Sequence, residues 1–319
     1  MGSAALARSV AVLAWWEGQR RELPWRDTRD PWAVLVCEVM AQQTQVARVA
    51  ERWAPFLDRF PTPAACAEVP LAVVLRWWSG LGYNRRALNL HRCATEVVAQ
   101  HRGRLPSTLP ELLALPGIGP YTARAVLAFA FEADAAVVDT NAARVLARWE
   151  GRRLTAREAQ GAADAALPSG LAWSWNQAVL DLGASVCTRR APRCSACPVA
   201  DRCGWALSGH RLPDPADGSA GVSGGQSRFE GSDRQGRGRL VGALRAGPVA
   251  VADLPLVMGW PDDVPRAERV VAGLVSEGLV EKQADHYRLF GEEVHHESID
   301  EVRLFELEEV AGVVDHLHA

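Results

Sequence analysis

Lysine is almost missing from this chain: Lys282 is the one example in 319 residues, and arginine supplies the remaining cationic side chains. Residues 1–281 therefore cannot furnish a lysine amine, which excludes chemistry that needs one as nucleophile from that stretch. No apolar run approaches the roughly 20 residues of a membrane-spanning helix. The opening MGSAALARSVAVLAWWEGQR has no signal-peptide cleavage pattern and merges into an amphipathic helix, so a cytoplasmic protein without membrane contact is expected. A positive net charge is lacking too, the total being −3, but the distribution is uneven. Residues 1–210 carry 24 Arg against 18 Asp and Glu (+6), leaving 11 Lys and Arg against 20 acids (−9) in the remainder. The mildly basic first two-thirds is the part suited to a polyanionic partner.

Strand patterns are also missing before residue 210. Residues 5–20, a continuous run from Trp32 to Phe60, and successive segments to Cys187 read as helices, which predicts an all-α core. Residues 211–236, rich in Gly, Ser, Asp and Pro, have linker composition. Residues 237–290 read helix, helix, helix, strand pair, the order of a winged helix, with Arg266 and Arg269 on its third helix able to face a phosphate backbone. Residues 291–319 form an acidic, His-containing tail.

The chain is organised around Leu115 to Asn141, LPGIGPYTARAVLAFAFEADAAVVDTN. Gly117, Ile118 and Gly119 make a tight turn between two helical patterns. Such a turn can aim backbone N–H groups at a phosphate beside a helix N-terminus. Asp139, about one helix further on, is a candidate catalytic carboxylate and equally a candidate N-cap. Seven cysteines divide unevenly. Cys37, Cys66 and Cys93 lie in apolar helical contexts and read as core thiols, whereas Cys187, Cys194, Cys197 and Cys203 crowd into 17 residues with C-x6-C-x2-C-x5-C spacing. Four soft ligands in one loop suit a metal centre. An iron–sulfur cluster is the expectation and zinc the alternative, since this spacing departs from the paired C-x2-C of zinc ribbons. Arg189, Arg190 and Arg193 would give the loop a basic rim.

Together, the glycine hairpin, the following Asp and the cysteine spacing resemble the helix-hairpin-helix DNA glycosylases that carry a four-iron four-sulfur cluster. Within that superfamily, Glu38 to Val46 (EVMAQQTQV), LPWR at residues 23–26, GLGY at 80–83 and WNQAVLDLGA at 175–184 are similar to the MutY-type adenine glycosylases. The resemblance spans roughly residues 10–207. It implies a two-lobed core over 1–210, with a helical lobe of about 28–135 and a cluster lobe from 1–27 and 136–210. It also implies a monofunctional enzyme, acting as a monomer, that excises adenine opposite 8-oxoguanine or guanine in double-stranded DNA of a bacterial-type nucleoid. By the same resemblance, Glu38 protonates the adenine ring, Asp139 stabilises the sugar cation and Asn141 orients Asp139 or water. Tyr121 stands where lyase relatives carry a Schiff-base lysine, in agreement with the missing lysines. Trp25, Arg26 and Gln177 would line the base pocket, and Gln43 would fill the gap left in the stack. The chemistry agrees, because a purine leaves well only when protonated and the sugar then becomes an oxocarbenium ion, so one acid and one carboxylate are needed.

Two substitutions depart from the family pattern. Asn84 replaces the second Tyr of GLGYY, and Ala41 replaces the Leu of EVMLQQ, which leaves the adenine pocket roomier. Many members also carry a C-terminal Nudix-like domain that recognises 8-oxoguanine, and residues 237–290 show no such pattern. Two competing readings are a thymine or uracil mismatch glycosylase and a non-catalytic, cluster-containing DNA-binding regulator. The Glu38–Gln45 motif argues against the first, and two intact carboxylates argue against the second.

Overall fold

The structure is a computed structural model that describes residues 3–219 and 228–292. The acidic tail and part of the linker lie outside the described residues. Contacts group the chain into two compact units, Met1–Gln43 with Arg104–Gln226, and Thr44–Gly103 with Ser227–Ala319. No helix among the described residues is long and apolar enough to cross a membrane.

In chain order the helices are α1 (Ser3–Gln19), α2 (Pro31–Ala41), α3 (Val46–Arg59), α4 (Pro63–Ala67), α5 (Leu71–Trp77), α6 (Arg85–His101), α7 (Leu109–Ala114), α8 (Pro120–Ala130), α9 (Thr140–Glu150), α10 (Ala156–Ala166), α11 (Ala172–Ser185) and α12 (Gly204–Leu207). The first unit holds α1, α2 and α7 to α12. Its starts are set by local chemistry: Asp30 caps α2 by accepting from the Ala33 N–H, with Pro31 as the first helical residue, and Thr155 with Glu158 forms a capping box on α10. Val12, Trp16, Leu146, Trp149, Trp175 and Leu182 fill one apolar core between α1, α9 and α11. That core consumes several of the twelve tryptophans.

The run from Trp32 to Phe60 is not one helix. It breaks between Ala41 and Val46, with Gln43 in the left-handed region at φ 56°. No glycine or proline marks the break. Thr44 is instead engaged by tertiary bonds, its hydroxyl donating to the Leu81 carbonyl at 3.4 Å and accepting from Arg86 Nη2 at 3.0 Å.

The second unit contains α3 to α6, with Phe56, Phe60 and Trp78 in its core; the Phe56 ring lies 4.8 Å from Phe60 and 5.9 Å from Trp78, centroid to centroid. It also contains the C-terminal module: α13 (Asp233–Ala246), β1 (Val249–Ala250), α14 (Leu254–Met258), α15 (Val264–Glu277), β2 (Val280–Gln283) and β3 (His286–Leu289). The strands form an antiparallel sheet in the order β1-β3-β2, with Val249 opposite Tyr287 and Val280 opposite Leu289. This is the winged-helix order. The third helix is not an open phosphate-binding face, however. Arg266 and Arg269 both bind Asp233, each at 2.8 Å, and the Arg266 guanidinium stacks 4.0 Å from the centre of the Trp260 ring.

Candidate active site and cluster loop

Glu38, Tyr121, Asp139 and Asn141 all belong to the first unit. Glu38 sits on α2, which packs against α8, and Tyr121 is the second residue of α8. All four are half-buried, so they border a recess and not the core. The Tyr121 hydroxyl donates to the Glu38 carboxyl. Burial is the main force that pushes the Glu38 carboxyl up to about 7; the Tyr121 bond pulls it down and the negative charge of Asp139 pushes it up again. Burial, with the charges of Glu38 and Asp139, pushes the Tyr121 phenol well above its ordinary range, so it remains a donor.

Asp139 is built differently. It caps α9, one oxygen accepting from the N–H groups of Asn141 (2.8 Å) and Ala142 (2.7 Å) and the other from the Asn141 side-chain amide (2.9 Å). Burial raises its carboxyl from the usual aspartate value, while these three bonds and the nearby Arg144 oppose the rise. Every donor around Asp139 favours its ionised form, and Glu38 has one such donor. Burial thus favours the protonated form of Glu38, whereas the donors around Asp139 oppose the effect of burial there.

Several supports for this site were not foreseen in the sequence. Arg144, three residues beyond Asn141 on α9, donates from Nη2 to Asn141 Oδ1 and to the Gly183 carbonyl, both at 2.7 Å, and from Nε to the Cys187 carbonyl at 2.7 Å. Two arginines four residues apart, Arg144 and Arg148, among the Ala, Val, Leu and Trp residues of α9 were the available signal. Gly183 is required by the same packing, because a Cβ there would stand 2.7 Å from the Asn141 Cβ. Asn176 accepts from the Val137 N–H at 2.8 Å and donates to the Ala135 carbonyl at 2.8 Å, fixing the extended segment that delivers Asp139.

The other expected residues are placed unequally. In the hairpin, Gly117 takes φ 76°, Ile118 is buried, and a Cβ on Gly119 would meet open space. The Gly117 and Gly119 N–H groups make no backbone hydrogen bond to any described residue, which suits them to an incoming anion. Gln43 is exposed in its left-handed turn and Trp25 is half-buried. Arg26 is buried against α11, its Nη2 donating to both Asp181 oxygens at 3.0 and 3.1 Å, and Arg21 and Trp16 bind the same carboxylate. Neither Arg26 Nε nor Gln177 Nε2 has a hydrogen-bond partner, although both are buried. An orphaned buried donor is costly unless a ligand completes it. Ala41 is exposed at the end of α2.

Cys187, Cys194, Cys197 and Cys203 line one pocket, whose apolar walls include Val186, Ala200 and Trp205. Arg148 reaches it, donating from Nη1 to Cys187 Sγ at 3.4 Å and to the Thr188 carbonyl at 2.8 Å, while Nη2 binds Asp214 at 2.6 Å. A single tetrahedral zinc ion would hold its sulfurs roughly 3.8 Å apart. Among the described residues, no three Cys, His, Asp or Glu side chains are disposed to hold one ion. Four thiols around an apolar space flanked by the Arg148 guanidinium fit an iron–sulfur cluster better. Replacing Cys194 with Ser is expected to lower iron and acid-labile sulfide per chain by roughly half or more, because one missing ligand opens the site. Replacing Cys66, a buried core thiol, is expected to leave both unchanged; metal analysis of the purified variants reads the difference.

Residues 36–166 match the HhH-GPD superfamily of base excision DNA repair proteins, and residues 187–203 match the iron–sulfur binding domain of endonuclease III. An adenine DNA glycosylase of Mycobacterium tuberculosis is 40% identical over 290 residues, covering 86% of this chain and 90% of the relative. Another from Mycolicibacterium smegmatis is 39% identical over 298 residues, covering 89% and 96%. Among solved structures, a thermostable thymine-DNA glycosylase superposes with a TM-score of 0.62 at 28% identity, covering 64% of this chain and 97% of that one. The helical scaffold and the cysteine loop agree with these likenesses, and the chain belongs to the adenine DNA glycosylase family of the HhH-GPD superfamily.

Proposed function

We propose that this protein removes adenine from double-stranded DNA where it faces 8-oxoguanine or guanine, hydrolysing the N-glycosyl bond without lysine-dependent strand cleavage and acting as a monomer. The observation that carries this reading is the Glu38–Tyr121 pair, a carboxylic acid pushed up to about 7 beside Asp139, whose carboxylate is held by the Asn141 and Ala142 donors. The target base is inaccessible within a duplex and must be extruded before any side chain reaches it. Glu38, protonated near neutral pH, gives its proton to a ring nitrogen of the extruded adenine, which turns the base into a leaving group. Tyr121 donates to Glu38 and keeps the acid oriented. As the glycosyl bond breaks, positive charge develops on the sugar, and Asp139 stabilises it at a position fixed by the α9 N-terminus and Asn141. Water completes hydrolysis.

Trp25, Arg26 and Gln177 form the base pocket in this reading. The support is that Arg26 Nε and Gln177 Nε2 are buried donors awaiting acceptors, and purine ring nitrogens are acceptors. Gln43, exposed in a strained turn, fills the vacated stack. The Gly117–Gly119 hairpin holds the DNA backbone. The cysteine loop holds a four-iron four-sulfur cluster that pins the basic Arg189, Arg190 and Arg193 surface, all three residues being exposed.

Base release from duplexes carrying A opposite 8-oxoguanine, A opposite guanine, and T or U opposite guanine separates the readings. Adenine release from the first two, with T and U retained, is the expected result. Release of T or U with adenine retained would establish the thymine or uracil reading, and no release with tight binding would establish the regulator.

A further inference from the structure

Residues 211–219 have the composition of a flexible linker and lie past the 187–203 match, yet they are built into the first unit. Pro215, Ala216 and Ser219 are buried. Hydrogen bonds fasten the segment at both ends. Trp205 Nε1 donates to the Arg211 carbonyl at 3.0 Å, and the Leu154 N–H donates to Ser219 Oγ at 3.1 Å. The Ser219 hydroxyl donates in turn to the Pro215 carbonyl at 2.6 Å. Between these ends Asp214 takes Arg148 of α9 in a fork, Nε reaching Oδ1 at 3.1 Å and Nη2 reaching Oδ2 at 2.6 Å. The Ala216 N–H also donates to Asp214 Oδ1, at 2.9 Å, which fixes the direction of the carboxylate.

The other N–H groups of Arg148 go to the start of the cysteine loop. Nη1 donates to Cys187 Sγ at 3.4 Å and to the Thr188 carbonyl at 2.8 Å, and Nη2 to the Arg189 carbonyl at 3.1 Å. A guanidinium has five N–H donors, and here every one is engaged. The group lies 4.7 Å from the centre of the Trp205 ring, and the residue is 1% exposed. One planar, buried cation therefore ties the point where the chain enters the loop, Cys187 to Arg189, to Asp214, which lies beyond the last ligand, Cys203.

Iron leaves such a site when a thiolate lets go of it, and a thiolate lets go more easily when the loop that carries it can open. An N–H donor on sulfur favours the thiolate, and a joint between entry and exit resists opening. Both properties depend on Asp214. Without its carboxylate, Arg148 would keep a buried charge and unmatched donors, and would turn toward water and away from Cys187. We infer that the Asp214–Arg148 pair is a clasp that holds the cysteine loop shut and sets how long the cluster is retained. Asp214 is a positioning residue in this role, acting through Arg148, and the first residues past the loop belong to the cluster site and not to a linker. The inference rests on the iron–sulfur assignment and is independent of which base the protein removes.

The test follows the rate at which the full, cluster-loaded chain gives up iron to an excess of chelator, read by the fading of the cluster's visible absorbance, well below the melting temperature. Asp214→Ala is expected to release iron about tenfold faster than the unaltered chain. Asp214→Glu, which keeps a forked acceptor on a longer stem, should stay within about threefold. Thr155→Ala breaks the capping box of α10 and lowers the melting temperature without touching Arg148, so its release should stay within about twofold. Should Asp214→Ala fail to fold, Asp214→Asn, which keeps one acceptor, carries the comparison with an expected gain of about threefold. Release from the Asp214 variants at the unaltered rate overturns the clasp. So does Thr155→Ala releasing as fast as Asp214→Ala, since retention would then follow overall stability, and so does Asp214→Glu releasing as fast as Asp214→Ala. Iron and acid-labile sulfide missing from the unaltered chain would instead sink the cluster assignment itself.

Discussion

Asp139→Asn is expected to reduce adenine release by about a thousandfold or more while leaving DNA binding within a few-fold of the unaltered chain. The substitution keeps the shape and the cap. An asparagine oxygen still accepts from the Asn141 and Ala142 N–H groups, and Asn is as good an N-cap as Asp, so α9 remains in place. The second oxygen, which now accepts from the Asn141 amide, becomes an NH2 group, and two donors face each other. Asn141 cannot turn its amide over without cost, because its oxygen already accepts from Arg144 at 2.7 Å. The local penalty is about 1 kcal/mol, a small shift in melting temperature. The chemical penalty is far larger, since a neutral amide cannot stabilise the sugar cation. Binding is spared because losing a negative charge near the phosphate backbone removes repulsion. Single-turnover release and equilibrium binding on the same duplex separate the two effects, and a variant that turns over at the normal rate would remove Asp139 from the reaction.

That experiment can be framed because the residues it rests on could be singled out in the chain. Residue types constrained by covalent or ligand chemistry announce themselves: the four clustered thiols, the glycines of the hairpin, the carboxylate that opens α9. What stayed hidden depends on residues far apart in sequence. Arg26 carries no local mark of its engagement with Asp181, 155 residues away, and reading it only as a candidate pocket residue misses that it fastens residues 21–26 to α11. The break after Ala41 lacks any Gly or Pro and is held by Thr44 meeting Leu81 and Arg86. Arg266 and Arg269 look like a phosphate-facing pair on a helix until Asp233 is seen between them. Asn176 and Arg144 are buried polar groups whose value lies in satisfying backbone atoms of other elements, and helical periodicity is blind to that role. The same blindness hid why Asn84 stands where a tyrosine is usual, because its partner Arg245 is 161 residues further on.

Glu38→Gln should exchange activity for stability, with a pH dependence that follows from its titration. Glu38 titrates at about 7 in the folded chain against an ordinary value of 4.5. Between those two values the folded state holds a proton that the unfolded chain has released. Stability therefore falls as pH rises from about 4.5 to 7, and above 7 the full cost of a buried carboxylate is present. Glutamine keeps the oxygen that accepts from Tyr121 and removes the charge. The variant is expected to be more stable than the unaltered chain at pH 8, by about 2 kcal/mol after allowing for the partial opening of the site. The gain should shrink toward zero as pH falls to about 4.5. Adenine release moves the opposite way, down by roughly a hundred- to ten-thousandfold at neutral pH, because the amide has no proton to give. In the unaltered chain, release should decline about tenfold per pH unit above 7 as Glu38 ionises, and that limb should be missing from the residual rate of the variant. Thermal unfolding at pH 5 and pH 8, set beside single-turnover rates from pH 6 to 9, checks both halves. A gain of equal size at pH 5 and pH 8 would mean that charge burial is not its source, and a flat rate profile in the unaltered chain would mean that Glu38 is not the acid.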